Sequence, residues 1–321
     1  MIVISELLTE FRPNLSHNSK RVYGSHISNL LPISSFNSRV EMGQYIRDNL
    51  QELIQKIEES KSPSTRSFKL NTLIIFTMGL LGEDSDEYKK LSELRDKANH
   101  EYVDSNKKVS KKYELNAITD EQYEKVLNTL QQKAMVLMKN KSTNFKEVDE
   151  VQLWFILLVY FKHAFRSDLA NMRVFYGKKS PEDDEDTNYL WIKSPKKLFF
   201  IFKEYKTKKS YETVIVPVHK NILNGVIKYA KFIKDVRPDN NTLLVNKKGK
   251  GLTPNAIGNK FTNFWQDVYR KNFTITLNRK RVVTNSDAMV QYKDAKKKIE
   301  KLAEGMMTSK DMLEKVYNQA K

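Results

Sequence analysis

NYLWIKSPKKLFFIFKEYKTKKSYETVIVPV, residues 188–218, is the stretch whose reading decides the fold. It contains three short runs rich in β-branched and aromatic residues: NYLWIKS (188–194), KLFFIFKEY (197–205) and YETVIVPV (211–218). Turn-forming residues separate them, so the spacing predicts a three-stranded antiparallel meander. The rest of the chain reads as helix or loop. The expected class is therefore mainly α with one small antiparallel sheet.

Upstream, VDEVQLWFILLVYFKHAF (148–165) is apolar almost all round at its centre, the mark of a buried core helix. TDEQ (119–122) has Thr followed three residues later by Gln, a capping-box pattern. It opens a helix with Tyr123, Val126, Leu127, Leu130, Ala134 and Leu137 on one face. The acidic SPEDDEDTN before the first strand reads as a solvated loop. Beyond Pro217, helices are expected over about 220–236, 254–271, 276–290, 293–304 and 309–319. Residues 1–102 read as a separate helical domain. Its helices fall at 41–60, at 64–82 with Gly82 as a stop, and at 83–102. Residues 103–113, VDSNKKVSKKY, are basic and have no apolar period, which suits an interdomain linker. The second domain is then 114–321.

At 40% hydrophobic residues the chain should be globular. It has no cysteine, which excludes disulfides and thiolate metal sites and fits a reducing, intracellular compartment. Its five histidines are scattered, with no HxxxH or HxH spacing, which argues against zinc. MIVISELLTEF carries acidic residues and no basic leader, so it is not read as a signal peptide. LNTLIIFTMGLL (70–81) is too short and too polar to span a bilayer. The net charge of +17 is uneven. Residues 1–105 hold 13 Lys/Arg against 15 Asp/Glu, and residues 106–321 hold 43 against 24. A strongly basic second domain suggests a polyanion partner, most often nucleic acid, with a merely soluble lysine-rich surface as the plain alternative. Only 12 of the 56 cations are arginines, so the place of each one is informative, because a guanidinium clamps phosphate oxygens with a planar fork.

Four places in the second domain combine basic or hydroxylic residues in a defined setting. FRSDLANMRV (165–174) follows the core helix, and KEYKTKKSYETVIVP (203–217) puts a lysine in the β-hairpin. TLNRKRVVT (276–284) and MMTSKDMLEKVY (306–317) complete the set. Taken singly each has a bland reading: Arg166 pairing with Asp168, a solvated lysine, a basic helix face, and Tyr317 packing beside Met312, Leu313 and Val316. In this order, over roughly residues 115–321, they resemble the tyrosine recombinase (phage-type integrase) family. The likeness is greatest to the divergent integrases of eukaryotic mobile elements and of large or satellite DNA viruses. It places Arg166 in the first arginine box and Lys206 as the hairpin lysine. RKRVVT supplies Arg279, Lys280 and Thr284 of the second arginine box. Thr308 stands nine residues before Tyr317, the implied nucleophile.

What the resemblance implies is DNA cutting and rejoining through a 3′-phosphotyrosyl bond, with no cofactor, metal or ATP. Arg166 and Arg279 would hold the non-bridging oxygens of the phosphate as charge develops. Lys206 would protonate the leaving 5′ oxygen. The architecture implied is two lobes closing on double-stranded DNA, with a homo-oligomer, four protomers in the synaptic complex, carrying out strand exchange. The biological setting would be integration of a viral or mobile genome. Lys20 and Arg21 in LSHNSKRVYGSHISNLL (15–31), the linker lysines Lys107, Lys108, Lys111 and Lys112, and Lys193, Lys208 and Lys209 of the hairpin are candidates for DNA phosphates.

The pattern departs from the family at Thr276 and Thr308, where His or Lys and His or Trp are usual. Lys280 is then a candidate to share the work. A shifted register would make Arg281 the second arginine in place of Arg279, and otherwise Arg281 is expected at DNA. Two further functions stay open: a type IB topoisomerase relaxing supercoils, and a non-catalytic DNA-binding protein on a decayed recombinase scaffold.

Overall fold

The structure is a computed structural model describing residues 2–107, 111–141, 143–180, 187–205 and 212–305. The chain divides into two compact units, Met1–Ser110 and Lys111–Lys321.

The first unit is helical: α1 (Ile4–Phe11), α2 (His17–Leu30), α3 (Arg39–Asp48), α4 (Leu50–Glu58), α5 (Pro63–Leu81) and α6 (Asp86–Lys107). Its centre is α5, where Leu70, Leu73, Ile74, Ile75 and Phe76 are buried. Thr72 and Thr77 are buried there too, because each hydroxyl donates to a carbonyl of its own helix, those of Phe68 and Leu73. Proline at the first position starts α5, and Gly82, at φ +90°, stops it as expected. In α2 the Ser16 hydroxyl caps the first turn, and Tyr23 stacks on Phe68 with ring centroids 5.0 Å apart.

Two expectations change in this unit. The helix read over 41–60 is two helices. Asn49 (φ −111°, ψ 16°) ends α3 and starts α4, and its side-chain amide donates to the Tyr45 carbonyl. Residues 103–107 continue α6 rather than beginning a linker, and α7 (Lys111–Asn116) opens the second unit.

The second unit is built on α9 (Phe145–Lys162). Ten of its residues are buried, from Val148 to Tyr160, as its apolar surround predicts. Large rings such as Trp154 and Phe155 each contribute roughly 2–3 kcal/mol by burial. Before it, α8 (Asp120–Lys139) begins with the capping box: Thr119 Oγ1 accepts from Gln122 N, and the Gln122 amide oxygen accepts from Thr119 N. After the sheet come α10 (Leu223–Val236), α11 (Pro254–Tyr269), α12 (Ile275–Thr284) and α13 (Asp287–Gly305), and α10, α11 and α12 all pack on α9. The break expected near residues 290–293 falls instead at Asn285 and Ser286, where the Ser286 hydroxyl accepts from Met289 N. The helix expected at 309–319 lies outside the described residues.

The sheet has four strands, not three, and is mixed, not purely antiparallel. β1 (Arg173–Tyr176), β2 (Tyr189–Ser194), β3 (Lys197–Phe202) and β4 (Val214–Pro217) lie in sequence order. The three strands read from 188–218 form the antiparallel meander, and β1 adds to β2 in parallel with Val174 opposite Leu190. β1 is only four residues long and is followed by the acidic stretch, so no alternation long enough to recognise is present. Leu190, Leu198, Phe200 and Phe202 face the main core, while Tyr189, Trp191 and Ile201 form a small second cluster. Two inward-facing sets explain why these strands are apolar almost throughout.

Candidate functional site

α9 ends at Lys162, and His163 turns the chain into extended backbone (φ −118°, ψ 133°). Arg166 follows four residues after the helix. Its loop is folded back on α9 by the Tyr160 hydroxyl, which donates to the Arg166 carbonyl at 2.5 Å, and within the loop Arg166 N donates to an Asp168 carboxylate oxygen at 3.2 Å. From α12, Arg279 Nε donates to the Ala164 carbonyl at 2.8 Å. The two arginines that the recombinase likeness singles out, far apart in sequence, thus flank one short loop, and both are half-buried.

Asp168 lies between their charges. Burial raises its carboxyl pKa above the ordinary value, and the Arg166 N–H and the Arg166 and Arg279 guanidinium groups offset only part of that rise. Tyr160, fully buried beside them, has its phenol pushed well above 10 by burial. It is therefore a poor nucleophile despite its position.

Asn188, at the start of the first expected strand, ties the site together. It is 7% exposed. Its amide nitrogen donates to the carbonyls of Asp168 and Glu204, at 3.2 and 2.9 Å, and its oxygen accepts from Lys203 N and Glu204 N, both at 2.9 Å. The arginine loop is thereby joined to the end of β3, two residues before Lys206. A buried Asn with four backbone bonds is fully satisfied, and the sequence reading attached no expectation to it, nor to Tyr160 or Asn278. The only signal for Asn188 was a polar residue heading an apolar strand.

α12 divides the basic cluster NRKR by face. Thr276 and Lys280 are exposed, and Lys280 Nζ lies 6.0 Å from the Tyr113 ring centroid. Asn278 and Arg281 point inward and cap the last carbonyls of α9: Asn278 Nδ2 donates to Tyr160 O at 2.7 Å, and Arg281 Nη2 donates to Phe161 O at 2.9 Å. Arg281 is 5% exposed, ion-paired to Asp120, and stacked over the Tyr123 ring with Cζ 4.7 Å from its centroid. The expectation that Arg281 faces DNA is therefore corrected. Its guanidinium is used up in closing the end of α9, where a cation also suits the helix dipole.

Lys206, Lys208, Lys209, Thr308, Tyr317 and Lys108 lie outside the described residues. Lys107, Lys111 and Lys112 stand in helices, but their side chains lie outside the description as well. In the first unit, Lys20 Nζ donates to Thr9 Oγ1 at 3.1 Å and Arg21 to Asn18 Oδ1 at 3.3 Å. With His17 they line a surface cleft of about 450 Å³ between α1 and α2. Lys193 is exposed, its Nζ 5.3 Å from the Trp191 ring centroid. Among the described residues no three His, Asp or Glu side chains stand close enough to hold a metal ion, and no helix is long and apolar enough to cross a membrane. Compared with known protein families, curated proteins and solved structures, the chain matches none.

Proposed function

We propose that this chain cuts and rejoins duplex DNA by transesterification through a tyrosine, in the manner of the tyrosine recombinases it resembles. The observation that carries the reading is the shared loop: Arg279 bonds to the carbonyl of Ala164, two residues before Arg166. Two guanidinium groups whose charges both act on Asp168 suit a phosphodiester whose non-bridging oxygens gain charge during attack. The link from Asp168 through Asn188 to Glu204, two residues before Lys206 in sequence, supports the role given to Lys206.

In this mechanism the Tyr317 oxygen forms a bond to phosphorus and gives up its proton to solvent water. The bond from phosphorus to the 5′ oxygen breaks, and Lys206 gives that oxygen a proton. The reverse attack by a 5′ hydroxyl restores the backbone and frees the tyrosine, so bond energy is kept in the phosphotyrosyl ester. Lys280 and Thr276, on the exposed face of α12, and Thr308 would assist where the family usually has imidazole or ammonium groups. Assembly of several protomers on DNA and integration of a viral or mobile genome belong to the same proposal.

A nicked suicide duplex carrying a candidate attachment sequence tests it. Wild-type protein should yield a covalent protein–DNA band that is lost in Tyr317→Phe. No adduct on any duplex, supercoiled plasmid included, would reject catalysis and leave a DNA-binding scaffold. Plasmid relaxation by a monomer without a specific site would favour the topoisomerase reading.

A further inference from the structure

Residues 243–252 form a short hairpin that none of the four recombinase-like motifs includes. Leu243, Leu244 and Val245 are buried at its base, and the turn, Asn246 to Lys250, projects Lys247, Lys248 and Lys250. All three lysines are exposed, and among the described residues none has a side-chain hydrogen bond or ion pair. From Asn240 to Gln266 the sequence has no acidic residue, so nothing local neutralises them.

The turn is held from several sides. Asn246 Oδ1 accepts from Lys248 N (2.8 Å) and Lys250 N (3.2 Å), and the Asn240 amide donates to the Gly249 carbonyl (2.8 Å). Gly249 sits at φ +75°, where a side chain would be strained. At the base, Gln152 of α9, fully buried, takes both backbone groups of Val245: its amide donates to Val245 O (3.1 Å) and its oxygen accepts from Val245 N (2.6 Å). The hairpin also touches the arginine loop. Asn171 N donates to Leu252 O, and a Cβ on Gly251 would lie 2.5 Å from Asn171 Oδ1.

Resting on the DNA reading above, we propose that this lysine turn is a pre-ordered contact for the phosphate backbone of the duplex, one that fixes where the duplex lies against the Arg166–Arg279 pair. A flexible lysine loop would lose conformational freedom on binding, and this turn has already lost it in folding. Gln152 joins it to the helix that leads into Arg166, and Gly251 joins it to the loop that follows, so a phosphate held at the turn is held in register with the arginines. Contacts of this kind position DNA without reading its sequence.

The test compares wild-type full-length chain with the triple variant Lys247→Gln, Lys248→Gln, Lys250→Gln on a fluorescent random-sequence duplex across a salt series. Each lost phosphate contact should flatten the slope of log K against log salt by about 0.9, so the variant should be shallower by roughly 2–3 and weaker at every moderate salt concentration. The triple Lys→Arg variant should restore the wild-type slope. A Gln variant that binds with the wild-type slope, while wild-type protein still forms the Tyr317 adduct, overturns the proposal and leaves the functional reading standing. Failure of wild-type protein to bind duplex at all overturns both.

Discussion

Arg279 and Arg281 differ by two positions on one helix and have opposite surroundings. Among the described residues Arg279 makes one side-chain hydrogen bond, to a main-chain carbonyl. Arg281 is enclosed by Asp120, Asn278, Phe161 and Tyr123. Arg279→Ala should lower adduct formation at least about a hundredfold, the scale of losing one transition-state donor, with little change in melting temperature. Arg281→Ala should do the reverse in kind. It leaves the Phe161 carbonyl and the Asn278 oxygen short of a donor and should cost about 2–4 kcal/mol of stability in a denaturant titration. Equal stability of the two variants would show that the division of α12 by face is wrong. In the sequence, RKR reads as one basic cluster, because charge alone does not say which side of a helix a residue occupies. The helical period starting from Ile275 does put Asn278 and Arg281 on the inner side, but two polar residues there look like interruptions rather than a cap. The setting of Arg166, by contrast, is readable, since it comes four residues after a helix that only a core can hold.

At the scale of elements, α9 was the plainest reading and β1 the least visible. An all-round apolar helix has one stable place, whereas four residues beside a parallel partner carry no pattern of their own. The break at Asn49 was hidden for a related reason: the buried positions Met42, Ile46, Leu53, Ile54 and Ile57 keep nearly one helical phase across the joint. The junction of α9 with the sheet has a measurable property. His163 is buried against Phe165 and Phe200, and its Nε2 accepts from His219 N at 3.2 Å, so it is neutral. Burial, with a smaller contribution from His219, pushes its pKa down from 6.5 to about 4. The unfolded chain then binds a proton that the native one refuses between these values. Stability should be fully present above pH 6.5 and fall as pH drops towards 4. His163→Gln should flatten that limb in denaturant midpoints measured from pH 4 to 7. An unchanged limb would mean that His163 is not the group responsible.

For the molecule as a whole, charge and core give complementary information. The basic excess lies in the part of the chain that holds the arginine pair, and each unit has a hydrophobic core of its own. Among the described residues, the buried core of the first unit runs from Leu7 to Ala98, with Ile2 and Ile4 packed against it and α5 at its centre. A fragment of residues 1–110 should therefore fold alone, giving a helical far-UV spectrum and one cooperative thermal transition. A broad, non-cooperative melt would show that the core is insufficient. The division into two helical parts was visible in composition. The joint, between Ser110 and Lys111, falls inside the stretch 103–113 read as a linker, but residues up to 107 and from 111 are helical, because a polar basic stretch suits an exposed helix as well as a linker.

The bonds that shape the site share a chemical habit: a polar side chain reaches a main-chain atom. Arg279 takes the carbonyl of Ala164, Asn278 that of Tyr160, Arg281 that of Phe161, Asn188 those of Asp168 and Glu204, and Gln152 both groups of Val245. A backbone atom is supplied by every amino acid. The accepting positions can therefore exchange side chains over generations without losing the bonds made to them, and only the few donors are held to type. A framework of that kind lets a sequence drift far while its geometry stays in place, and likeness survives in it as a sparse set of polar residues in order rather than as runs of identity.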